Sequence, residues 1–99
     1  MLNYLDQDAK LIRDCLPTDT DVPDNSTQLF RLYAVLLRSK GTETLAEDVH
    51  DAWSVLMLCI DPEHDSIRPY AELDVDTKTE DSPFLAAIRR AAQLRADRA

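Results

Sequence analysis

The stretch Leu29-Phe30-Arg31-Leu32-Tyr33-Ala34-Val35-Leu36-Leu37 constrains this chain more than any other. Every residue except Arg31 is apolar or aromatic, and together they fall on nearly every side of a helix. A helix that is apolar all round has to be enclosed by other elements. The expected structure is therefore a bundle around a central helix over residues 27–40, capped by Asn25 or Ser26 and stopped by Gly41.

The rest of the chain supplies partners for that helix. Leu5, Ala9, Ile12 and Leu16 recur at helical spacing, widened by Leu11 and Cys15, and predict a first helix over 4–16 that Pro17 ends. "PTDTDVPDN", residues 17–25, is a loop. Thr44 with Glu47 has the form of a capping box and opens a third helix over about 45–60, whose inner stripe is Val49, Ala52, Trp53, Leu56 and Ile60. Asp61-Pro62 ends it. Residues 61–81 read as irregular, with a short turn around 69–75. Ser82 as cap and Pro83 at the first helical position open a last helix over 83–96, with Phe84, Ile88, Ala91 and Leu94 or Arg95 on its core side. No stretch reads as a strand and no segment repeats. The fold class is all-α: one small domain over 1–99, with four main helices and an ordered irregular segment between the third and fourth.

Composition narrows function. With Gly41 as the only glycine, a glycine-rich phosphate loop is excluded. No apolar run approaches the roughly 18 residues of a membrane span. The N-terminus lacks a basic stretch followed by an apolar one. A cytoplasmic protein without membrane partners is expected. Cys15 and Cys59 lack CxxC neighbours and read as free buried thiols. The net charge of −8 repels phosphate, so direct nucleic-acid binding is disfavoured. Charge is uneven: residues 83–99 carry Arg89, Arg90, Arg95 and Arg98 against Asp97. The preferred reading is that these arginines complement a helix C-terminus and solvate its outer face; an anion site or an acidic partner is the alternative.

The least generic segment is "HDSIRPYAEL", residues 64–73, read together with "AEDVHDAW", residues 46–53. Val49, His50 and Trp53, then His64, Ile67, Pro69, Tyr70 and Leu73, then Lys78 with Asp81, form a pattern that resembles the ryanodine-receptor repeat over residues 45–95. That family carries V/I-H-x-x-W, then H-P-x-L-x-P-Y/F-x-x-L, then a K-x-x-D segment before a final helix. The chain departs from it where "LMLCIDPE" replaces the family's G-W-x-Y-G stretch and Asp65 replaces a proline. The whole chain, including "NYLDQDAKLIR" and "LYAVLLRSKG", is also similar to small proteins of actinobacterial phages and prophages. The repeat resemblance implies a non-enzymatic small-ligand module for nucleotide-like molecules.

Each candidate residue has a packing reading beside a functional one. Trp53 lies on an apolar stripe and is first a core anchor, second a pocket wall. His50 and His64 are first hydrogen-bonded to loop carbonyls, tying the 61–73 segment down, and second ligand contacts or proton switches. Tyr70 is expected to dock beside Trp53 with Leu73 in the core; alternatively its hydroxyl and Arg68 line a cleft. The ligand-binding hypothesis comprises His50, Trp53, His64, Arg68 and Tyr70, with Arg89 and Arg90 supplying positive charge for a phosphate. His50 and His64 with Asp51, Glu63 or Asp65 match no metal motif, so no metal and no cofactor are expected. No nucleophile or metalloprotease motif is present and no catalytic residue is assigned.

Two functions are expected, in order. The first is a non-enzymatic accessory protein that binds a host or phage protein, in the host cytoplasm if phage-encoded, with homodimerisation through the second helix as one form of it. The second is a nucleotide-like ligand module of the repeat type.

Overall fold

A computed structural model describes residues 2–23 and 26–98. Five helices follow one another: α1 Tyr4–Asp14, α2 Ser26–Ser39, α3 Ala46–Ile60, α4 Val75–Glu80 and α5 Ser82–Arg98. Single 3-10 turns lie at Gly41–Glu43 and Tyr70–Glu72. There is no strand among the described residues. The all-α expectation of four main helices holds, and the fifth helix is the short α4 inside the segment read as irregular. Expected cap Asn25 lies outside the described residues, and α2 begins at Ser26.

α2 is the centre, as its composition requires. Leu29, Phe30, Tyr33, Ala34 and Leu37 are buried against Ala9 and Ile12 of α1, Val49 and Leu56 of α3, and Ala87, Ile88 and Ala91 of α5. Phe30, Tyr33 and Phe84 form an aromatic triad with centroids 5.5 to 6.2 Å apart, joining α2 to α5. On its outer side α2 carries exposed Val35 and partly buried Leu32 and Leu36. Ile60, expected on the inner stripe of α3, is exposed at the last residue of the helix, beside exposed Leu58 and Cys59.

The helix ends show where local chemistry differs from the expected motifs. Asn3 caps α1, accepting from the Asp6 N–H at 2.8 Å. Gly41 has φ +56°, a left-handed conformation that closes α2 and suits glycine. The expected Thr44–Glu47 capping box does not form. Thr44 is fully buried and donates its hydroxyl to the Gly41 carbonyl at 2.7 Å. The cap of α3 is instead Leu45, whose N–H is accepted by the Asp48 carboxylate at 2.8 Å. Leucine has no side-chain acceptor, so only this half of a capping box exists. Burial raises the Asp48 carboxyl, but hydrogen bonds from Lys40 and from the Leu45 N–H outweigh it and hold the pKa below the ordinary value.

Arg89, Arg90 and Arg98 of α5 are exposed, and Arg95 and Arg98 lie in its last turn, as expected of a solvated helix end, but two of the α5 arginines also make contacts across the bundle. Arg89 donates from Nε to the Thr44 carbonyl at 2.9 Å, pinning the turn before α3. Arg95 reaches Asp8 of α1 at 3.7 Å, and the same buried carboxylate is bonded by Arg38 of α2. One aspartate thus joins three helices. Two guanidinium groups face this buried carboxylate. Cys15 is partly buried and free, and burial pushes its thiol pKa up. Cys59 is free but exposed on the outer side of α3, against the expectation of a buried thiol.

Candidate functional site

α3, the 61–74 segment, α4 and the start of α5 surround a recess whose centre is Trp53. Along α3, His50 and Trp53 are one turn apart, and the side they share is covered by the 61–74 segment rather than by α2. His50 is only 3% exposed. Its Nε2 lies 2.7 Å from the carbonyl oxygen of Arg68. A carbonyl only accepts, so Nε2 carries the proton and Nδ1 is left with its lone pair in the neutral ring. The expected packing role of His50, tying the loop to the helix, is the one the geometry shows. Trp53 stacks on His50 with centroids 5.6 Å apart and planes 24° apart, and meets His64 edge-on at 5.1 Å. Tyr70 tilts against His50 at 6.2 Å, with the Lys78 ammonium 5.2 Å from the Tyr70 ring. Leu73 is buried, as expected.

Two adjoining hollows open here. The smaller, about 130 Å³, is lined by His50, Trp53, His64, Ser66, Thr77, Glu80 and Asp81. The larger, about 600 Å³, lies on the other side and has an aromatic floor of Tyr33, Trp53 and Phe84, with Asp21, Val22 and Pro23 at its rim. Trp53, Glu80 and Asp81 line both. Neither hollow is lined by a lysine or arginine among the described residues.

Of the seven sequence candidates, three converge on the smaller hollow: His50, Trp53 and His64. Trp53 is neither pure core nor pure wall; it packs on the core while lining the hollows. Tyr70 supports His50 from behind. Arg68 contributes its backbone carbonyl, while its side chain folds back on its own loop, with Nε donating to the Asp65 carbonyl at 3.1 Å. Arg89 and Arg90 do not join. Arg89 is spent on Thr44, and Arg90 is exposed on α5 and lines neither hollow. His64 accepts the Ser66 N–H on Nδ1 at 3.1 Å, which fixes a turn. No group of three or more potential metal ligands exists among the described residues.

The sequence presents Asp81 as the partner of Lys78 in the repeat-like pattern, but not as a site residue. It closes α4 and its carbonyl accepts from the Leu85 N–H at 3.0 Å, so it occupies the cap of α5 expected for Ser82. An aspartate at that position ordinarily spends its carboxylate on the first free N–H groups of the helix. Here the side chain makes no hydrogen bond to the described residues and faces both hollows. Burial raises its pKa to about 6, against a lowering by His50 and with a further raising by Glu80. The signal in the sequence was "EDSP", residues 80–83: a second carboxylate directly before a capping serine and proline.

No helix among the described residues is long and apolar enough to cross a membrane. No curated protein and no solved structure matches the chain. A family model described as a domain of unknown function, DUF7701, matches residues 3–93, nearly the whole described helical domain. The chain belongs to the DUF7701 family.

Proposed function

We propose that this domain is a non-enzymatic binding module that engages a protein partner at the Trp53 recess. The observation that carries the reading is the recess itself: an aromatic floor, an acidic edge of Asp21, Glu80 and Asp81, and an exposed apolar rim at Val22. Buried aromatic side chains framed by polar ones are the usual anchors of protein recognition. The absence of catalysis is supported by how the imidazoles are used: His50 spends Nε2 on the Arg68 carbonyl, and His64 spends Nδ1 on the Ser66 amide. The similarity to small phage proteins makes a host or phage protein in the host cytoplasm the natural partner. A nucleotide-like ligand ranks second, because a phosphate would meet carboxylates and no cation.

The test uses two rim substitutions that leave the core alone. Val22→Glu charges the recess edge, and Val55→Glu charges the opposite, outer side of α3; both valines are exposed. Immobilised wild type and Val55→Glu should retain a common protein from host cells that Val22→Glu loses. Loss by Val55→Glu with retention by Val22→Glu would move the interface to the outer side of α3. A nucleotide panel in a thermal-shift assay should be flat. A nucleotide at 100 times its dissociation constant would add about 2.7 kcal/mol and several degrees, and such a hit would reverse the ranking.

A further inference from the structure

We infer that the recess is a receptor for an alkylammonium group, carried by a lysine side chain of the protein partner. This rests on the reading that the recess is the binding site and adds the chemical class of its occupant. Three groups around one small space argue for it. The first is the Asp81 carboxylate, which makes no hydrogen bond and no salt bridge to the described residues and lines both hollows. The second is His50. Its Nδ1 has no hydrogen-bond partner, yet no buried side-chain nitrogen or oxygen among the described residues lacks one. Nδ1 therefore reaches open space, and the hollow of about 130 Å³ that His50 lines is that space. With Nε2–H committed to Arg68, Nδ1 of the neutral ring presents a lone pair there. The third is the Trp53 indole, the strongest of the aromatic side chains in attracting a cation.

An ammonium group has three donors and no acceptor, and so complements a carboxylate and an imidazole lone pair. Its alkyl stem would lie in the adjoining hollow, over Tyr33 and Phe84. The smaller hollow, about 130 Å³, has room for an ammonium group and the first carbons of its stem. A guanidinium fits less well, since its flat fork prefers a carboxylate presented edge-on. The net charge of −8 draws cations toward the surface. Lys78 is not the occupant in this structure: its ammonium sits over Tyr70, behind His50.

The experiment exploits Trp53, the only tryptophan in the chain. Its indole N–H resonance and the backbone amides of residues 80 and 81 are followed by two-dimensional NMR during titration with n-butylammonium chloride, n-butanol or sodium butyrate. The expected result is saturable shifts with butylammonium and none with butanol or butyrate at equal concentration. Asp81→Asn, which keeps the side-chain shape, should weaken the butylammonium response by about tenfold, as expected for loss of a charge-assisted hydrogen bond. Equal shifts with butanol would overturn the cation assignment while leaving the recess as a binding site. So would an unchanged affinity in Asp81→Asn. No shift with any probe overturns the inference, while the protein-partner reading still stands or falls on Val22→Glu. An acetylated Leu-Lys-Leu amide separates the two sources of the group. Binding about tenfold tighter than butylammonium supports a chain-borne lysine, through the added apolar contact; binding no tighter would overturn that source in favour of a free amine.

Discussion

The His50 imidazole and the Arg68 carbonyl oxygen, 2.7 Å apart, are the hinge between the bundle and the segment that closes the recess. The bond joins a side chain of α3 to a backbone group eighteen residues on. It fixes the imidazole tautomer and the position of the far wall together.

His50→Ala should therefore do more than remove a ring. It leaves the Arg68 carbonyl unpaired and should cost about 2 kcal/mol, a fall in Tm of roughly 10 °C. Hydrogen exchange should speed up most in residues 61–74. Arg68→Ala keeps the carbonyl and should change stability by no more than about 0.5 kcal/mol. Equal losses in the two variants would show that the Arg68 side chain matters, against the geometry.

Asp81→Asn should stabilise the protein at neutral pH. In the folded state the carboxyl titrates near 6, above its ordinary 3.8. Between those values the folded state holds the proton more tightly than the unfolded one, so stability falls as pH rises through the window. The cost is complete at pH 7. Two pKa units give an upper limit near 3 kcal/mol, and partial solvation reduces the expected gain from Asp81→Asn to about 1–2 kcal/mol. The groups around this carboxyl are His50 on α3, Glu80 beside it, Asp21 on the loop after α1, Tyr33 on α2 and His64 on the 61–74 segment. Urea melts of both proteins from pH 3.5 to 7 should coincide at the acid end and diverge above pH 4. Asp6, Asp48 and Asp74, whose pKa values are lowered, act with the opposite sign in both proteins and cancel in the difference.

Arg38 and Arg95 share Asp8 unequally. Arg38→Met should cost about 2 kcal/mol, since it removes the hydrogen bond to a buried carboxylate. Arg95→Met, which removes only the longer 3.7 Å pair, should cost less than about 1 kcal/mol. The double variant should cost more than the sum of the two, because it leaves the carboxylate buried without a cation. Chemical denaturation of the four proteins gives the coupling directly; strict additivity would contradict the shared-carboxylate geometry.

Gly41→Ala should cost about 1–2 kcal/mol from backbone strain alone, because φ is +56°. Space is not the issue: an added Cβ would sit 3.8 Å from Ala92 Cβ, an ordinary contact. A neutral melting temperature for Gly41→Ala would mean that this turn relaxes.

The helices were legible because their causes are local. Pro17, Gly41 and Pro62 punctuate the chain, and the 3.6-residue spacing of Ala9 and Ile12, of Val49 and Leu56, and of Ile88 and Ala91 marks faces that are buried in the structure. The cluster of His50, Trp53 and His64 was legible for a similar reason, since these residues lie on one helix and the turn that folds back on it. The capping of α3 was less so. Thr44 and Glu47 have the spacing of a box, but the tight turn at Gly41 draws Thr44 inward and moves the cap to Leu45 and Asp48.

By itself the amino-acid pattern determined that this chain is all-α and that α2 lies at its centre, and it named His50 as a residue that could tie down the segment after α3. Only the tertiary structure decided what each polar group faces. Arg89 and Arg90 were candidates for an anion site; Arg89 instead bonds the Thr44 carbonyl and Arg90 is exposed away from the hollows, because the rotation of α5 about its axis is set by Ala87, Ile88 and Ala91 packing in the core. Asp81 matched only a K-x-x-D spacing in the sequence and became the unspent carboxylate of the recess, because it closes α4 directly before α5 and lines both hollows. Helical periodicity records which face of a helix is apolar; which partner meets each remaining polar residue depends on how the helices cross, and that is a property of the whole packed core.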